Sequence, residues 1–380
     1  MINRTDRPTY GVVIATYGRR EWIFKSLASW AACHTLPDQF LVVDATPNAA
    51  EYRDECLRTF PSLLMREGSD YICTSQTGSS RQRNLGLKLT TTDIVTFADD
   101  DVLVPAELVD QIRDFFALDT DQRIGAVLPH DTEASATSWR NVSRRIRDLL
   151  PLGLYRLFVP RAMRFPVADG GMARDISGAR RYALQGYALT CRTPLAKQAL
   201  FDEHLHRYGF TEDFDFSFRL GRDHLMFQLD DISVRHCEAH LSRISDDRYL
   251  CVSFVNPAFL IEKLFPNPQS RRYLLRLLRT MKFTHRMERL MQRKGKSLTI
   301  SSIGSPSDAS EFSLGIYDVI EDMIRSLQEA DDEHCGALMI ELQQYIFQNK
   351  GRLDDMERYL EFKETVLRPV QDAPMEACSR

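Results

Sequence analysis

Runs of apolar residues, each closed by a polar turn and followed by a helix-spaced pattern, organise the first half of the chain. Tyr10 to Thr16 (YGVVIAT) is unbroken and of strand length, which predicts a buried parallel strand. Its exit loop is Tyr17-Gly18-Arg19-Arg20, and beyond it Ile23, Phe24, Leu27 and Trp30 share one helical face. Phe40 to Val43 predicts a second strand ending at Asp44, with the turn Thr46-Pro47-Asn48 before a helix around Glu51 to Phe60. Tyr71 to Thr74 predicts a short third strand. The loop Ser75 to Ser80 leads into Arg81-Gln82-Arg83-Asn84 and a helix from Gln82 to Leu89. Ile94 to Phe97 then drives out of a fourth strand straight into Asp99-Asp100-Asp101.

The alternation continues. Pro105 to Leu118 predicts a helix with proline at a tolerated first-turn position. Ile124 to Leu128, Gly186 to Cys191 and Leu225 to Val234 predict further strands, and Thr193-Pro194 starts a helix. Strand and helix in turn imply an α/β fold, a mostly parallel sheet flanked by helices. Such sheets bind ligands beyond the carboxyl ends of their strands. Thr16, Asp44, Thr74 and Asp99 to Asp101 stand at such ends, so they are expected to converge on one crevice.

Three adjacent acids repel one another unless a cation sits among them or one is protonated. Hard oxygen ligands suit Mg²⁺ or Mn²⁺, and such sites are usually completed by substrate phosphates. The competing reading is a solvated acidic turn. Asp44 can accept from a base N–H such as N3–H of uracil, or cap its own turn. Tyr17 can cover a base or ribose, or pack as an ordinary aromatic. Arg81 or Arg83, near a helix start, can hold diphosphate oxygens or remain solvated.

At 380 residues the chain exceeds one average domain, and 43% hydrophobic with 27% charged residues is ordinary for a globular protein. The eight cysteines form no C-x-x-C pair, which argues against a zinc ribbon or disulfide framework and for a reducing compartment. The N-terminus, MINRTDRPTYG, lacks an apolar core and is not read as a secretory signal. No run reaches the roughly 18 apolar residues of a membrane span. A cytoplasmic protein is expected. The net charge of −4 is unevenly spread: Trp139 to Arg181 carries ten Arg against three Asp, Arg271 to Lys296 carries ten Lys plus Arg against Glu288, and Asp308 to Glu361 is acidic.

The order VVIATYGRR, LVVDATPN, TGSSRQRNLGL, TFADDDV resembles the N-terminal half of the family-2 glycosyltransferases of GT-A fold. The resemblance spans roughly residues 9 to 240 and implies a GT-A, Rossmann-like sheet. It makes Asp99 and Asp101 the D-x-D metal pair, with Asp100 between them, and Thr16, Tyr17, Arg19, Asp44, Arg81, Arg83, Asp99 and Asp100 donor-binding residues. Ala45 departs from the family pattern, since relatives often carry a polar or acidic residue there. Glu212-Asp213-Phe214-Asp215, before Arg219-Leu220, resembles the family's second acidic signature, which makes Asp213 the catalytic base and Glu212 an acceptor-binding or orienting group. A sugar hydroxyl needs such a base to become a nucleophile. On physical grounds alone, Thr211 capping a helix whose dipole favours Glu212 and Asp213 explains the same residues. His236, after the last strand, is a candidate third metal ligand, with His240 a competitor for the role.

The implied activity is metal-dependent, inverting transfer of a sugar from a nucleoside diphosphate, with UDP favoured, to a saccharide or lipid-linked saccharide hydroxyl in glycan assembly. A sugar nucleotidyltransferase would want a glycine-rich phosphate loop, and Tyr17-Gly18-Arg19-Arg20 has one glycine. A non-catalytic nucleotide-sugar scaffold is the other alternative. No nucleic-acid recognition motif accompanies the arginine clusters. The expected organisation is a GT-A domain over 1–245, with an arginine-rich insert at about 131–181 suited to peripheral contact with the anionic inner face of a membrane. A basic helical segment over 246–296, a linker over 297–309 and an acidic helical region over 310–380 follow. No feature of the sequence sets the oligomeric state.

Overall fold

The computed structural model describes residues 7–135, 176–181, 183–203, 205, 211–237, 260, 263 and 264. By proximity the chain divides into two compact units, Met1–Val142 with Val159–Arg243, and Ser143–Phe158 with Ile244–Arg380. The described residues belong almost wholly to the first. The run Trp139–Phe158, His240, the acidic helical segment, the linker and, apart from Leu260, Lys263 and Leu264, the basic segment lie outside the described residues.

Among the described residues nine strands make the sheet: β1 (Tyr10–Thr16), β2 (Gln39–Asp44), β3 (Asp70–Cys73), β4 (Ile94–Asp99), β5 (Val102–Leu103), β6 (Ile124–Asp131), β7 (Gly178–Arg180), β8 (Ala188–Arg192) and β9 (Leu225–His236). Among the described residues the helices that flank it are α1 (Arg20–Ala31), α2 (Ala49–Thr59), α3 (Pro61–Leu64), α4 (Ser79–Leu89), α5 (Leu108–Leu118), α6 (Thr132–Ser135), α7 (Thr193–Ala199) and α8 (Glu212–Leu220). The strand order is β3-β2-β1-β4-β8-β6-β9-β5, with β7 paired to β9.

The first half is parallel, as the alternation predicts. In β1 the register sets Thr16 beside Asp44 of β2 and Ala15 beside Asp99 of β4, so these polar ends leave the sheet together. The second half is mixed. Strand β8 runs antiparallel to both β4 and β6, while β6 and β9 are parallel. A buried apolar run records that a strand is central and not which way it points. Antiparallel entry also needs no crossover helix.

Apolar strands are sandwiched by helices that bury one face each. Trp30 of α1 meets Phe40 edge-on at 5.7 Å. On the opposite flank Phe97 of β4 packs on Phe201 and Phe216, whose rings stack at 4.0 Å. Helix α4 comes so close to β1 that a methyl at Gly86 would overlap Val13 Cγ1. Gly78, just before α4, has φ 122°, a conformation that favours glycine.

Some predicted boundaries move. Helix α5 begins at Leu108, leaving Pro105 before it rather than in its first turn. Strands β5 and β7 are too short to show as apolar periods. Of the described cysteines, Cys33, Cys56 and Cys191 are buried as small apolar residues, while Cys73 is exposed. Among the described residues, no helix is long and apolar enough to cross a membrane.

Candidate active site

The acidic triplet begins at Asp99, the last residue of β4, and its other two members are buried. Asp100 and Asp101 are within the protein, and Asp99 is partly open. Two cations divide the charge. Arg19, from the loop after β1, donates to Asp100 Oδ1 at 2.9 Å and to Asp101 Oδ2 at 3.4 Å. Thr16 Oγ1 donates to Asp100 Oδ2 at 2.7 Å. Burial still pushes the Asp100 carboxyl up to about 6, against the pull of Arg19 and Thr16.

Arg83 of α4 serves the other side. Its Nη2 donates to Asp99 Oδ1 at 2.8 Å and its Nη1 to Glu212 Oε1 at 2.7 Å. Burial opposes its charge, but Glu212 and Asp99 outweigh that and raise its pKa. Ser79 Oγ adds a 3.1 Å bond to the same Glu212 oxygen.

Asp99, Asp101 and His236 each turn one ligand atom inward, and these atoms lie within 4.8 Å of one another. His236 Nε2 is 3.3 Å from Asp101 Oδ1 and 3.8 Å from Asp99 Oδ2. The His236 ring is held by stacking on Tyr187 at 5.3 Å, and its backbone N–H donates to Asp131 Oδ1 at 3.1 Å. Burial disfavours the imidazolium, yet Asp101 and Asp99 raise its pKa. Two carboxylates and an imidazole, with a titrating group held among anions, fit a divalent cation.

Across Arg83, α8 opens with Glu212 and Asp213. Thr211 stands at the N-cap position with φ 76°, a left-handed conformation that a β-branched residue seldom adopts. Its side chain makes no cap hydrogen bond, so capping by Thr211 does not account for the motif. Glu212 is buried and Asp213 half-buried. Asp213 Oδ2 accepts from Gly186 N at 2.8 Å and Oδ1 from Phe214 N at 2.7 Å. Burial pushes Glu212 up to about 7, Arg83 drawing it down and Asp213 adding to the rise. Burial raises Asp213 as well, with Arg83 and the two N–H donors offsetting part of it.

The remaining sequence-predicted residues fall in two groups. Tyr17 is 46% exposed and therefore not a packed core aromatic. Asp44 is buried, with Tyr71 Oη donating to Oδ2 at 2.6 Å and Thr46 N to Oδ1 at 2.7 Å, the geometry of its turn-capping alternative. Arg81 is half-buried, 3.7 Å from Glu203. Arg83 lies between carboxylates of the protein itself. Pattern reasoning passed over Gly186, Tyr187, Ser79 and Asp131. Gly186, Tyr187 and Asp131 carry no motif and reach the acids through β8, β6 and their pairing, while Ser79 reaches Glu212 from the start of α4.

The family model described as Glycosyl transferase family 2 matches residues 11–174, from β1 past the acidic triplet. That segment is a family 2 glycosyl transferase domain. The match ends before Glu212, Asp213 and His236, which join the site through α8 and β9. No curated protein matches the chain. Among solved structures it is similar to the mannosyltransferase PcManGT from Pyrobaculum calidifontis in complex with GDP-Man and Mn²⁺, at 14% identity over 90% of this chain and 88% of that one, TM-score 0.49. It is also similar to S. aureus TarS 1-349 in complex with UDP-GlcNAc, at 16% identity over 90% and 91%, TM-score 0.45. Overlaps this loose leave the fold to rest on the strand order.

Proposed function

We propose that the glycosyltransferase domain moves a sugar from a nucleoside diphosphate, UDP being the favoured carrier, to a hydroxyl of a saccharide or lipid-linked saccharide, with inversion and with Mn²⁺ or Mg²⁺. The observation that carries the reading is the inward-facing set Asp99, Asp101 and His236, at strand ends in a family 2 segment, with the raised carboxyl of Asp213 across Arg83. A divalent cation held by that set would supply Lewis-acid stabilisation of the departing diphosphate. The imidazole among the ligands favours Mn²⁺ over Mg²⁺.

The protein's own residues do the rest. Asp213, its carboxylate oriented by the N–H groups of Gly186 and Phe214, takes the proton from the acceptor hydroxyl as that oxygen attacks the anomeric carbon. A carboxyl shifted upward is a stronger base than an ordinary aspartate, which suits it to a hydroxyl proton. Glu212 stays with Arg83 and Ser79 and orients the acceptor side. Asp100, fixed by Thr16 and Arg19, shapes the donor side, and Tyr17 at the rim covers the nucleoside. Arg19 and Arg81 are the cations assigned to the phosphates. In this reading the enzyme works in the cytoplasm at the inner face of a membrane, its arginine-rich segments facing anionic lipid. The domain limits at 245, 296 and 309 are part of the same proposal.

Release of UDP from a panel of UDP-sugars, followed with Mn²⁺ and with chelator, tests the reaction. Metal-dependent turnover of a panel member is expected. Binding with no turnover of any donor would favour a non-catalytic scaffold.

A further inference from the structure

We infer that Arg83 is a positioning residue tying the metal end of the site to its proton-accepting end, and not a ligand of the donor diphosphate. The inference rests on the glycosyltransferase reading. Arg83 is 4% exposed, and each arm of its fork is committed to a carboxylate of the chain: Nη2 to Asp99 at 2.8 Å, Nη1 to Glu212 at 2.7 Å. Its Cζ lies over the Phe201 ring, 5.3 Å from the centroid, and Phe201 is itself stacked on Phe216 of α8. The guanidinium is therefore clamped in orientation as well as paired.

A planar fork fixes the distance and angle between the two carboxylates it bridges, which an ammonium on a flexible stem does not. Asp99 Oδ2, the oxygen not held by Arg83, is the one facing His236. Glu212, on the other arm, is adjacent in sequence to Asp213. A methyl at Gly186 would lie 3.0 Å from Asp213 Cβ and 3.3 Å from Arg83 Nη2, so the fork and the base share the space that glycine leaves. Arg19 sits instead on Asp100 and Asp101. The two arginines thus divide the acids, and Arg83 spans from the metal set to α8.

Two measurements test this. In Arg83→Lys, calorimetric affinity for UDP with Mn²⁺ should stay within about threefold, while saturated donor turnover falls at least about tenfold, since small misplacements of reacting groups are costly. Loss of UDP affinity of tenfold or more would make Arg83 a diphosphate ligand and overturn the inference, as would unchanged turnover. The second measurement needs no nucleotide and stands if Arg83→Lys does not fold. In Glu212→Gln, Arg83 loses one partner charge and turns more of its own on Asp99, so Mn²⁺ affinity of the protein alone, followed by electron paramagnetic resonance, should fall severalfold. Unchanged Mn²⁺ affinity would sever the link. Failure of the unmodified protein to bind any nucleotide would instead sink the function reading, leaving the Mn²⁺ result to judge Arg83.

Discussion

Replacing Asp213 with asparagine removes the proposed base while keeping its shape. General-base assistance is worth about 10² to 10⁴-fold, or roughly 3 to 5 kcal/mol of barrier. The structure sets the cost to the fold separately. Both Asp213 oxygens accept backbone N–H groups, from Gly186 and Phe214. Asparagine has one oxygen, so one of those donors would face an NH₂ group, at a cost of about 1–3 kcal/mol. Loss of the charge works the other way, because Asp213 is one of the groups holding Glu212 high. The net expectation is a Tm lower by several degrees, at roughly 2–4 °C per kcal/mol for a domain of this size. The variant should therefore fold, bind UDP with Mn²⁺ nearly as well as the parent, and release UDP from its donor at least about 10²-fold more slowly. A loss below tenfold, or a parallel loss of UDP affinity, would remove Asp213 from the role.

Other consequences follow from the same geometry. Asp101→Ala should abolish metal-dependent UDP binding in a calorimetric titration, and unchanged binding would place the metal elsewhere. A proton-accepting carboxylate must be ionised, and burial raises Asp213 above the ordinary carboxyl range, so kcat/KM should still rise with pH above that range before it levels off. A profile already flat from pH 5 would contradict the shifts, since an ordinary carboxyl is ionised by about pH 5. Gly86→Ala would drive a methyl into Val13 Cγ1 and to 3.1 Å from Cγ2, so urea unfolding should show a loss of roughly 1–3 kcal/mol, offset in part by alanine's helix preference. An unchanged midpoint would mean that α4 and β1 separate easily.

The parallel half of the sheet was legible because each strand there is a continuous apolar run closed by a polar residue, which marks both its burial and its exit. Thr16, Asp44 and Asp99 were placed at strand ends on that basis, and the register joins them. The direction of β8 was not legible, because Ala188 to Cys191 is equally apolar read either way. The site shows a similar division. Acidic residues next to a strand end announce themselves, so Asp99, Asp101 and the set with His236 could be named. What a side chain is paired with depends on neighbours distant in sequence. The helix start makes Arg81 or Arg83 a candidate for diphosphate oxygens, and no local pattern indicates that Arg83 pairs with Asp99 and Glu212, the latter 129 residues away. Asp44 carries an ordinary turn signal in Thr46-Pro47-Asn48, and Tyr71 from β3 completes its burial. Gly186 and Tyr187 had no local signal at all, since their contribution is a backbone N–H and a ring face.

Calorimetric titration of the purified chain with UDP, GDP, CDP and ADP, each with Mn²⁺ and with chelator, tests the central claim most directly. The account predicts binding that requires the metal, strongest for UDP and lost in Asp101→Ala. Binding to none of the four, or binding indifferent to both the metal and Asp101, would contradict it.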